Sequence, residues 1–252
     1  MKPIKRSLLG LLLPTAILLA WWWATTFTDI SQAILPAIPE IFRTFREFLK
    51  DGTLLADLGC SLSRVLKGYA IAAVLGISIG SAMGMWRLAY DLIHPLVTAV
   101  RQIPVIAWIP LVILWCGIGE LSKIVVIAIA AFFPITLNTL AGFHSLPDGY
   151  LEVARLYRLG VGETFRKVYL PHALPQILVG LKLGLGSSWM AVVAAELIAA
   201  SSGIGYRLSY SRGPLRSDAV ILCMLVIGLV GIVMGRFLTV LFRRLLPWQK
   251  VS

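Results

Sequence analysis

The chain has 252 residues, of which 58% are hydrophobic and only 14% charged, with a formal net charge of +11. A soluble domain carries about 25% charged residues, so a mean hydropathy of +0.86 points to a membrane as solvent and excludes disordered, collagenous and secreted classes. The positive charge is not interleaved with aromatics as a nucleic-acid surface requires. Cys60, Cys116 and Cys223 are too far apart for a disulfide framework or a zinc spacing.

A helix needs roughly 20 mostly apolar residues to cross the hydrocarbon. The first such run is 8–27, preceded by Lys2, Lys5 and Arg6 and ending in Trp21, Trp22 and Trp23. Its length and bulky end favour a retained anchor with an interfacial Trp belt over a cleaved signal peptide. The stretch 29–66 is mixed. Within 38–50, Ile38, Ile41, Phe42, Phe45, Phe48 and Leu49 recur at helical spacing beside Arg43, Arg46, Glu47 and Lys50, which reads as an amphipathic helix lying at the interface. Further spans are expected at 68–86, 95–116, 122–142, 177–200 and 218–241, making one membrane domain of six spans over 1–252. Placing the termini, the loop near Arg87 and Arg101, and 143–176 in the cytoplasm gathers 14 of the 23 Lys and Arg residues on that side, with Lys182 and Arg236 of the adjoining spans counted there. The positive-inside rule then gives both termini inside.

Few motifs carry chemistry. Gly76-Ile77-Ser78-Ile79-Gly80 matches the serine-hydrolase pattern but sits mid-span, without the strand–turn–helix that reaction needs. Ala72, Gly76, Gly80 and Gly84 fall four apart instead, a small-residue face that lets another helix approach closely. Gly180 and Gly184 repeat the device, as do Gly228, Gly231 and Gly235. His94, His144 and His172 lack partners at ligand spacing, so no metal site is expected. Without a Walker-type run, no nucleotide can be cradled in the usual way. No catalytic residue is assigned, and no cofactor is expected on this chain.

Segment 143–176 is too polar for a span and too long for a turn. Leu151 to Lys167 alternates Glu152, Arg155, Arg158, Glu163, Arg166 and Lys167 with Val153, Ala154, Leu156, Leu159 and Phe165. Pro147 and Asp148 open a helix there, and Pro171 and Pro175 follow it. Two readings remain open: a solvated cytoplasmic hairpin, or a docking helix held against the bundle. In 177–200, Glu196 is a carboxylate among apolar residues, which suits a pathway or a structural salt bridge. Trp189 shares its helical face, with Ser187 and Ser188 nearby; this face is the expected lining of a substrate route. Arg101 beside Pro104 suits an interfacial anchor or an anion contact, and Lys182 reads as a lysine snorkelling to the cytoplasmic end.

Glu152-Val153-Ala154, followed by Tyr169-Leu170-Pro171-His172-Ala173-Leu174-Pro175, resembles the EAA loop of ABC-importer permeases. Arg101-Gln102-Ile103-Pro104 through Trp108-Ile109-Pro110-Leu111, Trp115 to Glu120, Gly180 to Gly186, Ala194 to Ile198 and Gly203-Ile204-Gly205 resemble the sulfonate, taurine and nitrate/bicarbonate branch of that family. The resemblance covers nearly the whole chain. It implies an all-α type I bundle in the bacterial inner membrane, with Glu152, Val153, Ala154, Arg155, Arg158 and Gly160 in the ATPase-coupling segment. It also implies a second permease copy, two ATPases carrying ATP and magnesium, an extracytoplasmic binding protein and a small anionic substrate. Two departures stand out: Val153 replaces an Ala, and Arg158 occupies the usual Gly position, with Gly160 two residues later. The alternative is an ion-coupled secondary transporter using Glu196, although such proteins commonly show internal repeats. An intramembrane enzyme would need paired carboxylates, a Ser–His dyad or a metal cluster.

Overall fold

The computed structural model describes residues 3–245, with side chains from 12 to 244, and all the regular structure among them is helical. In chain order the helices are α1 (Pro3–Phe27), α2 (Ile38–Lys50), α3 (Thr53–Met85), α4 (Arg87–Val100), α5 (Val105–Cys116), α6 (Glu120–His144), α7 (Asp148–Leu156), α8 (Val161–Thr164), α9 (Leu170–Ala199), α10 (Ile204–Arg212) and α11 (Ser217–Leu245). A single π-helical turn, Phe165–Tyr169, joins α8 to α9.

The centre is a three-helix sandwich in which α6 packs against α3 on one side and α9 on the other. Glycine makes this possible. A methyl group on Gly68 would lie 2.7 Å from Ile127, one on Gly76 2.8 Å from Ile135, and one on Gly80 2.6 Å from the Thr136 carbonyl. On α9, methyls at Gly180 and Gly184 would each meet α6 at 2.8 Å, at Asn138 and Ile135. The small-residue faces of α3 and α9 are therefore both spent on α6, whose Ile127, Ala131, Ile135 and Thr139 are fully buried. Where hydrocarbon surrounds the protein, close packing of this kind replaces the hydrophobic effect as the source of helix association. The α11 glycines differ: Gly231 faces Trp189, but Gly228 and Gly235 have open space around them.

Four helical segments are long and apolar enough to cross a membrane: Thr53–Met85, Glu120–His144, Val161–Ala199 and Ser217–Arg244. The segment expected as one continuous span at 95–116 is broken instead. α4 and α5 meet at 101° across Arg101–Pro104, so together they make at most a fifth crossing. Pro104 supplies the cause, having no N–H to continue the ladder and disfavouring α geometry at Ile103. The last turn of α4 tightens accordingly, with Gln102 and Ile103 donating to Ala99 and Val100 three residues back. In α1 the described apolar stretch, Leu12–Phe27, is shorter than the others.

α3 also starts 15 residues before the span expected at 68–86. Its first four turns carry Asp57, Ser61 and Arg64, which look unsuited to a membrane helix but are all buried within the protein. The amphipathic α2 lays Ile41 and Phe48 into the core beside α11. Phe48 sits between the guanidinium groups of Arg207 and Arg216, 5.6 and 5.7 Å from its ring centre.

Candidate functional site

Two ends of the sandwich concentrate polar side chains. At the first, α6 runs out at His144, and α7, α8 and the π turn form a hairpin before α9 begins. Pro147 takes an extended conformation and opens α7. The helix closes at Arg158, whose φ of +51° is left-handed. Arg158 N–H donates to the Arg155 carbonyl at 2.9 Å and Leu159 N–H to Ala154 at 3.0 Å. This is the Schellman arrangement, with an arginine where glycine is ordinarily preferred. The departure at position 158 therefore leaves the turn intact and places a strained residue in it.

The hairpin is fixed from beneath. Phe143 of α6 stacks on Tyr169 at 5.3 Å and contacts Phe165 at 6.0 Å, while a methyl on Gly84 of α3 would overlap the Phe143 ring. Ala154 is buried, and Leu151 and Leu159 flank a 330 Å³ cavity against Met85, Trp86 and Tyr169. The outer face of α7 is apolar and open: Tyr150 and Val153 are exposed, Leu156 is 81% exposed and Tyr157 74%. Glu152, Arg155 and Gly160 are exposed beside them. Glu152 makes no ion pair among the described residues, whereas Glu163 pairs with Lys167 at 2.9 Å.

The opposite end is closed by buried charge. Glu196 is 1% exposed and receives Arg64 Nη1 at 2.7 Å, the Ser61 hydroxyl at 2.8 Å and the Gly205 N–H at 2.9 Å. Arg64 also donates to both oxygens of Glu120, at 2.8 and 2.6 Å, and to the Ser202 carbonyl at 2.7 Å. Buried Lys123 joins the cluster through Glu120 at 3.2 Å. The amides that begin α10 cap onto the same group: Gly203 N–H reaches Asp57 at 2.9 Å and Ile204 N–H reaches Ser61 at 3.0 Å. Carboxylates at a helix N-terminus meet its positive dipole end. Gly203, with φ +109°, has no room for a side chain because a Cβ there would lie 2.4 Å from the Glu196 carboxylate. Arg207 pairs with Asp57 at 2.7 Å, and Arg216 with Glu47 at 3.2 Å and Asp218 at 3.0 Å. Hydrogen bonding to Glu47, then Asp218, raises the Arg216 pKa above its ordinary value.

Of the two roles open to Glu196, the geometry supplies the salt bridge. Trp189 and Ser188 are buried too; the indole N–H donates to the Ile227 carbonyl at 3.0 Å, while the Ser188 hydroxyl has no partner. Ser187 is half-buried and Arg101 lies exposed in the α4–α5 bend. Sequence reasoning missed Asp57, Ser61 and Arg64 as a group. Their i, i+4, i+7 spacing on one face of a helix entering a membrane was the available signal.

A helical bundle with an exposed, rigidly held hairpin at one end and a buried ionic cluster at the other matches known proteins throughout its length. The chain belongs to the family described as the binding-protein-dependent transport system inner membrane component, whose model matches residues 72–250. It is 34% identical over 252 residues to the taurine transport system permease protein TauC of Escherichia coli, covering 98% of this chain and 92% of that one. It is 35% identical over 222 residues to the nitrate import permease protein NrtB of Synechocystis, covering 87% and 80%. An inward-facing structure of the MetNI methionine ABC transporter shares the fold, with a TM-score of 0.59 at 18% identity over 75% of this chain and 97% of that one. This multi-pass membrane protein is thus an ABC-importer permease, and the ion-coupled secondary transporter is set aside.

Proposed function

We propose that this chain forms the conduit and lever of an ATP-driven importer for a small oxyanion: taurine or another aliphatic sulfonate, nitrate or bicarbonate. Two copies would pair around the pathway, with two ATPases on the hairpin side and an extracytoplasmic binding protein on the other. ATP and magnesium belong to the partner ATPases, and this chain performs no covalent chemistry. The observation that carries the reading is the hairpin: a short helix whose outer face is apolar and open while its inner face is clamped to α3, α6 and α9. Glu152, Val153, Ala154, Arg155, Arg158 and Gly160 belong to this coupling segment, with Ala154 turned inward and the others around the open face and its closing turn. A push on α7 passes through Phe143 into a sandwich too tightly packed to absorb it, favouring rigid-body rocking over local deformation.

The hairpin and both termini face the cytoplasm in this reading. Support comes from the charge count, since two of the nine basic residues assigned outside, Arg64 and Lys123, are buried in ion pairs. The substrate class rests on the sulfonate- and nitrate-related sequences, and no dense cationic site among the described residues selects among them.

The test is co-purification in mild detergent after expression with the neighbouring coding sequences, followed by uptake in vesicles. An ATPase recovered at equal stoichiometry, with ATP-dependent uptake of taurine or nitrate, is the expected result. Glu152→Arg should insert normally yet lose the ATPase during purification. Normal transport and ATPase retention by that variant would remove α7 from the coupling role.

A further inference from the structure

α9 carries two charges, Lys182 and Glu196, and the helix sends them in opposite directions. Glu196, Trp189 and Ser188 turn into the bundle, whereas Gln176, Val179, Lys182, Leu183, Gly186 and Met190 are exposed along one face. Lys182 has no hydrogen bond or ion pair among the described residues. Its depth follows from its neighbours, because Gly180 packs on Asn138 and Gly184 on Ile135 and Ala131. At 1.5 Å per residue, Ile135 lies about 14 Å along α6 from His144 and about 22 Å from Glu120. Lys182 therefore stands well inside the hydrocarbon depth. The carboxylates of the four long spans, including Asp57, Glu120, Glu163, Glu196 and Asp218, all lie within a few residues of a span end, out of its reach.

An unpaired ammonium at this depth is too costly to face lipid, and such residues turn toward a water-filled cavity or a partner. The surroundings agree. Asn138 and Gln176, polar residues likewise set in apolar helices, border the α6–α9 seam on either side of the Gly142 and Gly180 contacts. Gly186 on the same face meets no neighbour and leaves its backbone accessible. Snorkelling to the cytoplasmic end would require Lys182 to span more than two helical turns.

We propose that the exposed face of α9 through Gln176, Lys182 and Gly186 lines the substrate route, and that the Lys182 ammonium contacts the oxyanion group of the cargo midway across. The inference rests on the importer reading above and names a contact for its anionic substrate. One mid-depth cation attracts a monovalent oxyanion into a low-dielectric route, yet a lone Lys point charge holds it more loosely than a bidentate arginine fork would, which suits passage.

The complex of permease, ATPase and binding protein, with Cys60, Cys116 and Cys223 changed to Ala, is reconstituted in liposomes. Lys182→Cys is exposed to a membrane-impermeant, sulfonate-bearing methanethiosulfonate reagent, with Val74→Cys, on an exposed apolar stretch of α3, as the lipid-facing control. Labelling at Lys182→Cys should be at least about tenfold faster, and taurine or nitrate should slow it. In the same vesicles Lys182→Gln should lower uptake by about tenfold or more, the scale of one charge-assisted contact, while ATP hydrolysis continues and Lys182→Arg transports. Labelling no faster than at Val74→Cys, or wild-type uptake by Lys182→Gln, overturns the inference. Rapid labelling of Lys182→Cys in a complex that carries no oxyanion keeps the route and overturns the anion contact, placing the failure in the substrate reading.

Discussion

The two ends of the sandwich hold themselves together by opposite means. At the hairpin end, aromatic rings and a few aliphatic side chains pin α7 and α8 onto Phe143, leaving an apolar face open. At the far end, Arg64, Glu120, Glu196, Asp57 and Arg207 tie α3, α6, α9 and α10 into one ion-paired cluster, buried except at Glu120 and part of Arg207. Open apolar surface suits contact with a separate chain, while a satisfied ionic cluster suits helices that must not move relative to one another. A lever needs both.

This contrast can be broken most severely at Arg64. Arg64→Ala leaves the Glu196 carboxylate buried without its cation and should cost about 3–5 kcal/mol, whereas Arg64→Met with Glu196→Leu should recover most of it. Unfolding in denaturing detergent, followed by Trp fluorescence, measures both. If the single and double variants unfold alike, the cluster is not a paired unit. Gly203→Ala forces a side chain onto the Glu196 carboxylate at left-handed φ and should cost about 2–3 kcal/mol, read as a lower unfolding midpoint. At the hairpin, Arg158→Gly should stabilise by about 1 kcal/mol, because the left-handed position penalises any residue with a Cβ; thermal unfolding would show the gain, and an unchanged midpoint would mean the turn relaxes elsewhere. Leu156→Ser should shift stability by no more than about 0.5 kcal/mol while weakening ATPase recovery in pull-downs. Large stability losses with an intact ATPase complex at one end, and the reverse at the other, is the pattern the comparison demands.

How much of this the sequence revealed depends on the range of the interaction. The glycine faces of α3 and α9 were readable because four-residue spacing is local, and so was the amphipathic 38–50. The polar hairpin between α6 and α9 was legible from its proline borders. Glu196 stood out as a misplaced carboxylate, but its cation did not, because Arg64 lies 132 residues away in a stretch that looked merely mixed. Polar residues made α3 seem to start late when they were its buried beginning. The break at Arg101–Pro104 carried a local signal in Pro104, but strong hydropathy on both sides masked it.

The same separation fixes an order of events during synthesis. Arg64 enters the membrane 56 residues before Glu120 and 132 before Glu196. At roughly 5–20 residues per second, it waits on the order of 3–11 s for its first carboxylate and roughly 7–26 s for its second. Throughout that interval α3 is a helix with an uncompensated cation, and its glycine face has nothing to pack on until α6 arrives. A nascent chain halted before α6 would expose both defects together, whereas one halted between α6 and residue 196 would leave Arg64 with only its first carboxylate, so completion of the fold is announced by the pairing of a buried charge.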